Sequence, residues 1–199
     1  MLRAMKRLPC LTTPARAGLV VSVVLTLVAG LGGPAPARAA DPVEFTVGEF
    51  AFSRPGGWRW VPASSAMRKA QLAHTSPTGE VADTIFFHFG PGQGGGVQAN
   101  VDRWLAQFQN PRDQKSERIE GAGGPVTIVQ TRGTFLSGMP GTPSTPMDGF
   151  ALMGAILESP SGDVYVKMTG PAGAVEEAGP AFRKMVAEAR KAAASALNE

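Results

Sequence analysis

Gly90-Pro-Gly-Gln-Gly-Gly-Gly96 sets Gly90, Gly92 and Gly95 at the spacing of a dinucleotide-binding loop, after an aromatic strand-like run and before a helix-like one. Such a loop offers an anion its backbone N–H groups and a helix N-terminus. Gly92, Gly94, Gly95 and Gly96, with Asn100 one turn into the following helix, are therefore candidate ligand-binding residues. Three features weigh against a nucleotide. Pro91 removes one donor, no acidic residue ends a second parallel strand at the required distance, and no Gly-Lys-Ser/Thr follows. A flexible connection that folds the helix back onto a sheet accounts for the same glycines without a ligand.

His74 and His88 are the only histidines. If their strands pair antiparallel, two imidazoles with Asp83 or Glu80 would suit a metal. No His-x-x-x-His spacing supports this, so no metal ligand is assigned and each is read as a hydrogen-bonded structural residue. Neither Gly-x-Ser-x-Gly nor Ser-x-x-Lys occurs. No catalytic residue and no cofactor are assigned, and a non-catalytic role is expected. The segment Ser137–Gly149 carries Pro140, Pro143 and Pro146 at the three-residue period of polyproline II, flanked by Met139 and Met147. Long loops in compact domains tend to be functional, which makes these five residues a candidate partner-binding edge.

Positioning these residues requires strands before helices. Val43–Phe52 alternates apolar and polar residues and ends at Pro55-Gly56-Gly57, and Trp58–Val61 is a second strand candidate. Periodicity does not separate strand from helix over Arg68–Thr75. The turn-forming His74–Gly79 favours a strand hairpinned to Val81–Phe89, the most aromatic and β-branched run in the chain. Val97, Val101, Trp104, Leu105 and Phe108 form one helical stripe over 97–109, which Asn110-Pro111 should stop. Pro125–Leu136 and Phe150–Glu158 read as strands, the second apolar on both alternations and so central. Pro160–Asp163 turns the chain into a strand over Val164–Thr169. A terminal helix follows, with Val175, Ala178, Phe182, Met185, Val186 and Ala189 on one face. Glu176 and Glu177 at its start and Arg190 and Lys191 near its end follow the order that a helix dipole favours. Trp104 belongs to a buried stripe, and Trp58 and Trp60 are expected under a helix. Tight turns between strands predict an antiparallel α+β sandwich of about six to seven strands and two main helices.

The first 39 residues read as an export signal. Arg3, Lys6, Arg7 and Arg16 precede an apolar run from Ala17 to Leu31, and Ala37-Arg38-Ala39 offers small residues to a signal peptidase. Cleavage is expected between Ala39 and Ala40. That leaves 40–199 as one domain, in the periplasm or outside a bacterium, with the membrane touched only through the leader. The formal charge of +3 belongs to the precursor. Loss of Arg3, Lys6, Arg7, Arg16 and Arg38 leaves 14 basic against 16 acidic residues, without the clustered positive face that nucleic-acid binding needs. Cys10, the only cysteine, leaves too, and with it any disulfide, thiol nucleophile or cysteine metal site.

Phe50-Ala-Phe-Ser-Arg-Pro-Gly-Gly-Trp58 leading into Met67-Arg68-Lys69-Ala70, the Gly-rich loop with Ala99–Trp104, and Lys167-Met-Thr-Gly-Pro171 before the last helix resemble the PsbP/Mog1-type α-β-α sandwich and exported bacterial proteins like it. The resemblance implies that fold and a binding or assembly role, with an envelope protein as partner. No partner-contacting or metal-binding residue of those proteins matches a position here, so it implies no site residue.

Overall fold

The computed structural model describes residues 43–138 and 143–192. The expected leader, its cleavage residues Ala39 and Ala40, and Met139 and Pro140 lie outside the described residues.

Ten strands and two helices alternate as expected in outline. They are β1 (Glu44–Val47), β2 (Phe50–Ser53), β3 (Arg59–Trp60), β4 (Arg68–Thr75), β5 (Val81–His88), α1 (Val97–Leu105), β6 (Phe108–Gly121), β7 (Gly124–Ser137), β8 (Thr145–Leu157), β9 (Val164–Pro171), α2 (Ala172–Glu188) and β10 (Arg190–Lys191). Seven strands form one antiparallel sheet in the order β3-β4-β5-β9-β8-β7-β6, and β1, β2 and β10 form a second, three-stranded sheet. The α+β class, the antiparallel sheet and its two helices are thus those that the turns and stripes predict.

The side-chain alternation of β8 shows how the layers meet. Ala151, Met153, Ala155 and Leu157 point into a core shared with α2 and the small sheet, where Phe50, Phe52, Phe86 and Phe182 are fully buried. Leu152 and Ile156 point the other way, into a second core with Val101 and Trp104 of α1. With Ala151–Leu157 buried on both alternations, β8 is the central strand that its apolar run predicts. Trp58 is 2% exposed, and Trp60 packs against the α2-side core from its edge.

Four expectations need correction. The helix predicted to reach Gln109 stops at Leu105, because Phe108 pairs with Phe135 as the first residue of β6. Phe108 still joins the α1 core, so periodicity placed its burial correctly but not its backbone. The long loop expected over Ser137–Gly149 is mostly a hairpin, with Phe135↔Met147, Leu136↔Pro146 and Ser137↔Thr145 paired. Pro146 is tolerated there because β8 gains its second neighbour only at Phe150↔Pro171, which leaves one edge at Pro146 without a ladder. α2 ends before Arg190 and Lys191, which form a two-residue strand against β2, and neither of its end turns carries the expected charges. The strand expected over Trp58–Val61 is only Arg59–Trp60.

Candidate functional site

The Gly-rich loop is held to the protein at Gly94 and Gly96, while Gly92 and Gly95 stay exposed. Asn100, 5% exposed, donates its Nδ2 hydrogens to the Gly94 and Gly96 carbonyls at 2.7 Å each, and its Oδ1 accepts from Arg103 at 2.7 Å. Gly94 lies against the Tyr165 ring, so close that a Cβ would fall 1.9 Å from the phenol oxygen. Burial pushes that phenol up to about 12, helped by the neighbouring Asp163 carboxylate, whose Oδ2 accepts its hydrogen bond at 3.3 Å. Gly92 and Gly95 take positive φ of 67° and 84° on the way into α1. The side chain of Asn100 thus holds the loop closed onto the helix start.

The histidines do not meet. β4 and β5 pair antiparallel, but His74 lies opposite Ala82 while His88 ends β5, six positions further on and about 20 Å away. The two-imidazole arrangement that the strand pairing left open is therefore not formed, and no group of three metal-ligating side chains occurs among the described residues. His74 instead faces Glu177 of α2 at 3.4 Å and the Trp58 ring. Near the other end of the sheet, Ser161 donates to Glu49 at 2.6 Å. Hydrogen bonds from Lys191, Ser159 and Ser161 hold the Glu49 carboxyl down to about 2. The Glu49 main-chain oxygen also accepts from Ala192, so this carboxylate clasps β10 to the β1–β2 turn.

An open site lies where no motif marked one, between the N-terminal half of α2 and strands β6, β7 and β8. A cavity of about 310 Å³ is walled by Met153, Val175 and Pro180 and rimmed by Arg132 and Arg183. A second, of about 380 Å³, continues from it past Arg112, Thr134 and Asp148, and both share Arg132 and Ala172. Together they form one elongated groove. Arg183 donates to Glu117 and, at 2.9 Å, to Gln130, and its guanidinium holds the Glu117 carboxyl below the usual carboxylate range. Arg132 pairs with Asp113. Arg112 is exposed and has no side-chain partner among the described residues.

Unusual backbone builds this groove. The β6–β7 register shifts twice, between Gln109 and Arg112 and between Arg112 and Lys115, and at these bulges Asn110 and Asp113 take left-handed φ of 48° and 55°. Bulges re-aim side chains, and left-handed conformations cost non-glycine residues free energy. Gly133 opposite the first bulge admits it, since a Cβ there would meet the Gln109 carbonyl at 2.6 Å. Pro180 sits inside α2, where it removes the N–H that would bond the Glu176 carbonyl. Both residues line the first cavity, so the groove wall keeps a main-chain acceptor outside the helical ladder. Sequence reading missed all of this except for one available signal, a proline in the middle of a helical stripe. The partner-edge candidates Pro146 and Met147 start β8, and Pro143 precedes it, on the hairpin that carries Thr134 and Asp148.

No family model matches the chain, and no curated protein matches it. Among solved structures it is similar to the solution structure of cyanobacterial PsbP (CyanoP) from Synechocystis sp. PCC 6803. The two share 11% sequence identity over 81% of this chain and 99% of that one, with a TM-score of 0.49. The architecture itself rests on the strand order and the two cores described above.

Proposed function

We propose that this chain is an exported, non-catalytic binding module of the bacterial cell envelope, and that the groove beside α2 receives an extended segment of a partner protein. The elongated shape of the groove carries this reading. Two adjoining cavities joined through Arg132 and Ala172 suit a chain better than a compact small molecule. Met153, Val175 and Pro180 suit an apolar side chain of that segment, the Glu176 carbonyl, deprived of an N–H at position 180, a main-chain N–H, and Arg112, without a side-chain partner among the described residues, an acidic side chain. Pro143, Pro146 and Met147 extend the same surface along the β7–β8 hairpin. The export signal supports the compartment, and the three unusual backbone positions support function over packing, since strain of this kind concentrates at working sites.

A photo-crosslinking residue at Glu176, in the protein expressed in its own envelope, tests the reading. One discrete adduct should form there, none should form from the exposed Lys69 on β4, and Arg112→Glu should abolish the adduct without lowering the unfolding temperature. Equal labelling at both positions, or an adduct indifferent to Arg112→Glu, would sink it. Absence of any adduct, together with a thermal shift caused by a small anion, would turn the groove into a small-ligand site.

A further inference from the structure

The two edges of the main sheet differ in length. One is β3, two residues long, while the other is β6, with fourteen. An edge strand presents an unpaired row of N–H and C=O groups, and proteins usually blunt it with bulges, proline or charged side chains. In β6 both bulges lie before Lys115. From Lys115 to Gly121 the pairing with β7 runs without a shift, and among the described residues the outward edge of that stretch has no strand beside it. Its charges also alternate: Lys115, Glu117, Arg118, Glu120.

We propose that this straight stretch pairs with its own copy, antiparallel about a two-fold axis through Ile119, joining two main sheets edge to edge. Residues directly opposite in an antiparallel pair point to the same face, so a two-fold axis between two identical strands must pass through a residue position. Axes at Glu117, Arg118 or Glu120 would set like charges face to face. An axis at Ser116 runs the pairing into the bulge before Lys115. The axis at Ile119 sets Arg118 opposite Glu120 of the copy, twice, with the two Ile119 side chains facing each other on the other face of the sheet. The hydrogen-bonding phase agrees. The two-residue turn between Gly121 and Gly124 makes these a bonded pair, so by alternation Ile119 bonds inward to Val126 while Arg118 and Glu120 present N–H and C=O outward. Ile119 is half-buried against the α2-side core, and the contact would complete its burial. Glu120 is exposed and has no side-chain partner among the described residues, whereas Arg118 already bonds Glu158 from the same face.

Sedimentation velocity of the purified protein from 1 to 500 µM (roughly the range open to a small edge-to-edge contact) reads the result. The expected finding is a concentration-dependent dimer. Glu120→Arg, which sets arginine against Arg118 of the copy, should weaken it at least about tenfold, a loss of about 1.4 kcal/mol. Glu120→Pro, which removes only an outward N–H, should abolish it while the monomer keeps its unfolding transition. Arg118→Glu combined with Glu120→Arg should restore the dimer. A monomer at every concentration, or a dimer unmoved by Glu120→Arg and Glu120→Pro, would overturn the inference.

Discussion

The Gly-rich entry to α1 and the bulged groove beside α2 are opposites in how they are written. The first has the letters of a ligand loop and is closed by Asn100, Tyr165 and its own carbonyls. The second has no letters at all, yet it is open and is built on two left-handed non-glycine residues and a proline inside a helix. Glycine in a sequence advertises conformational freedom, and that freedom serves close packing as readily as it serves a ligand. Strain at an asparagine or aspartate is invisible until the backbone is seen.

Gly94 gives the largest test of this contrast. Gly94→Val must push Tyr165 out of the α1 core and should cost about 3 kcal/mol or more, lowering the unfolding temperature by about 6–12 °C. Asn100→Ala leaves the Gly94 carbonyl without its donor and the Gly96 carbonyl with only the main-chain N–H of residue 100, and should cost about 1–3 kcal/mol. Neither should alter crosslinking at Glu176. If Gly94→Val were tolerated with an unchanged melting curve, the loop would not be packed as described.

Pro180 reverses the sign on the other side. Pro180→Ala restores the helical N–H to the Glu176 carbonyl and should stabilise the protein by about 1–3 kcal/mol in chemical denaturation. The same change should reduce crosslinking at Glu176, because the acceptor offered to a bound main chain is withdrawn. Stabilisation with undiminished crosslinking would separate the proline from the function of the groove.

Much of the scaffold was legible because it obeys a period. The stripes of α1 and α2, the hairpin from β4 to β5 and the doubly apolar β8 all follow from side-chain alternation or helical spacing. β6 was not legible: from Gln109 to Glu120 only Glu117 and Ile119 are even partly buried, so an edge strand of this kind writes no alternation into its sequence. The groove is hidden for the same reason, since Arg112, Asp113 and Asn110 sit on that strand and owe their positions to pairing with β7. His74 and His88 lie on the strands expected for them, and the hairpin turn after His74 sets them at opposite ends of that pair.

Acid should separate the two regions by pH. The Glu49 carboxyl is held near 2 in the fold against an ordinary value of 4.5, so its contribution is full above about 4.5 and is lost as pH falls towards 2. Ser159 and Ser161 belong to the turn that packs Gly162 against the Gly90 backbone, and Lys191 belongs to β10. Hydrogen exchange should therefore show 90–96 and 190–192 opening first across that window, with the groove strands still protected. Glu49→Gln should remove the pH slope, on the order of 1–2 kcal/mol in total for a group still partly solvated. Simultaneous opening of both regions would show that the clasp does not govern the loop side.

The smallest effect is the sharpest on mechanism. Asn110 is the left-handed residue whose side chain enters no ion pair or hydrogen bond among the described residues, so Asn110→Gly changes almost nothing except the cost of its φ. Asparagine tolerates this conformation better than most residues, and glycine gives up more entropy on folding, so the net gain should be only about 0.5 kcal/mol. Its effect on the groove should be larger than its effect on stability. With the bulge no longer confined to one conformation, Arg112 samples more positions and crosslinking at Glu176 should fall. Asp113→Gly is the contrasting case, because it also removes the partner of Arg132 and should lose stability rather than gain it. If Asn110→Gly left crosslinking untouched, the bulge would serve only to turn the edge of the sheet, and Arg112 would be aimed by β7 alone.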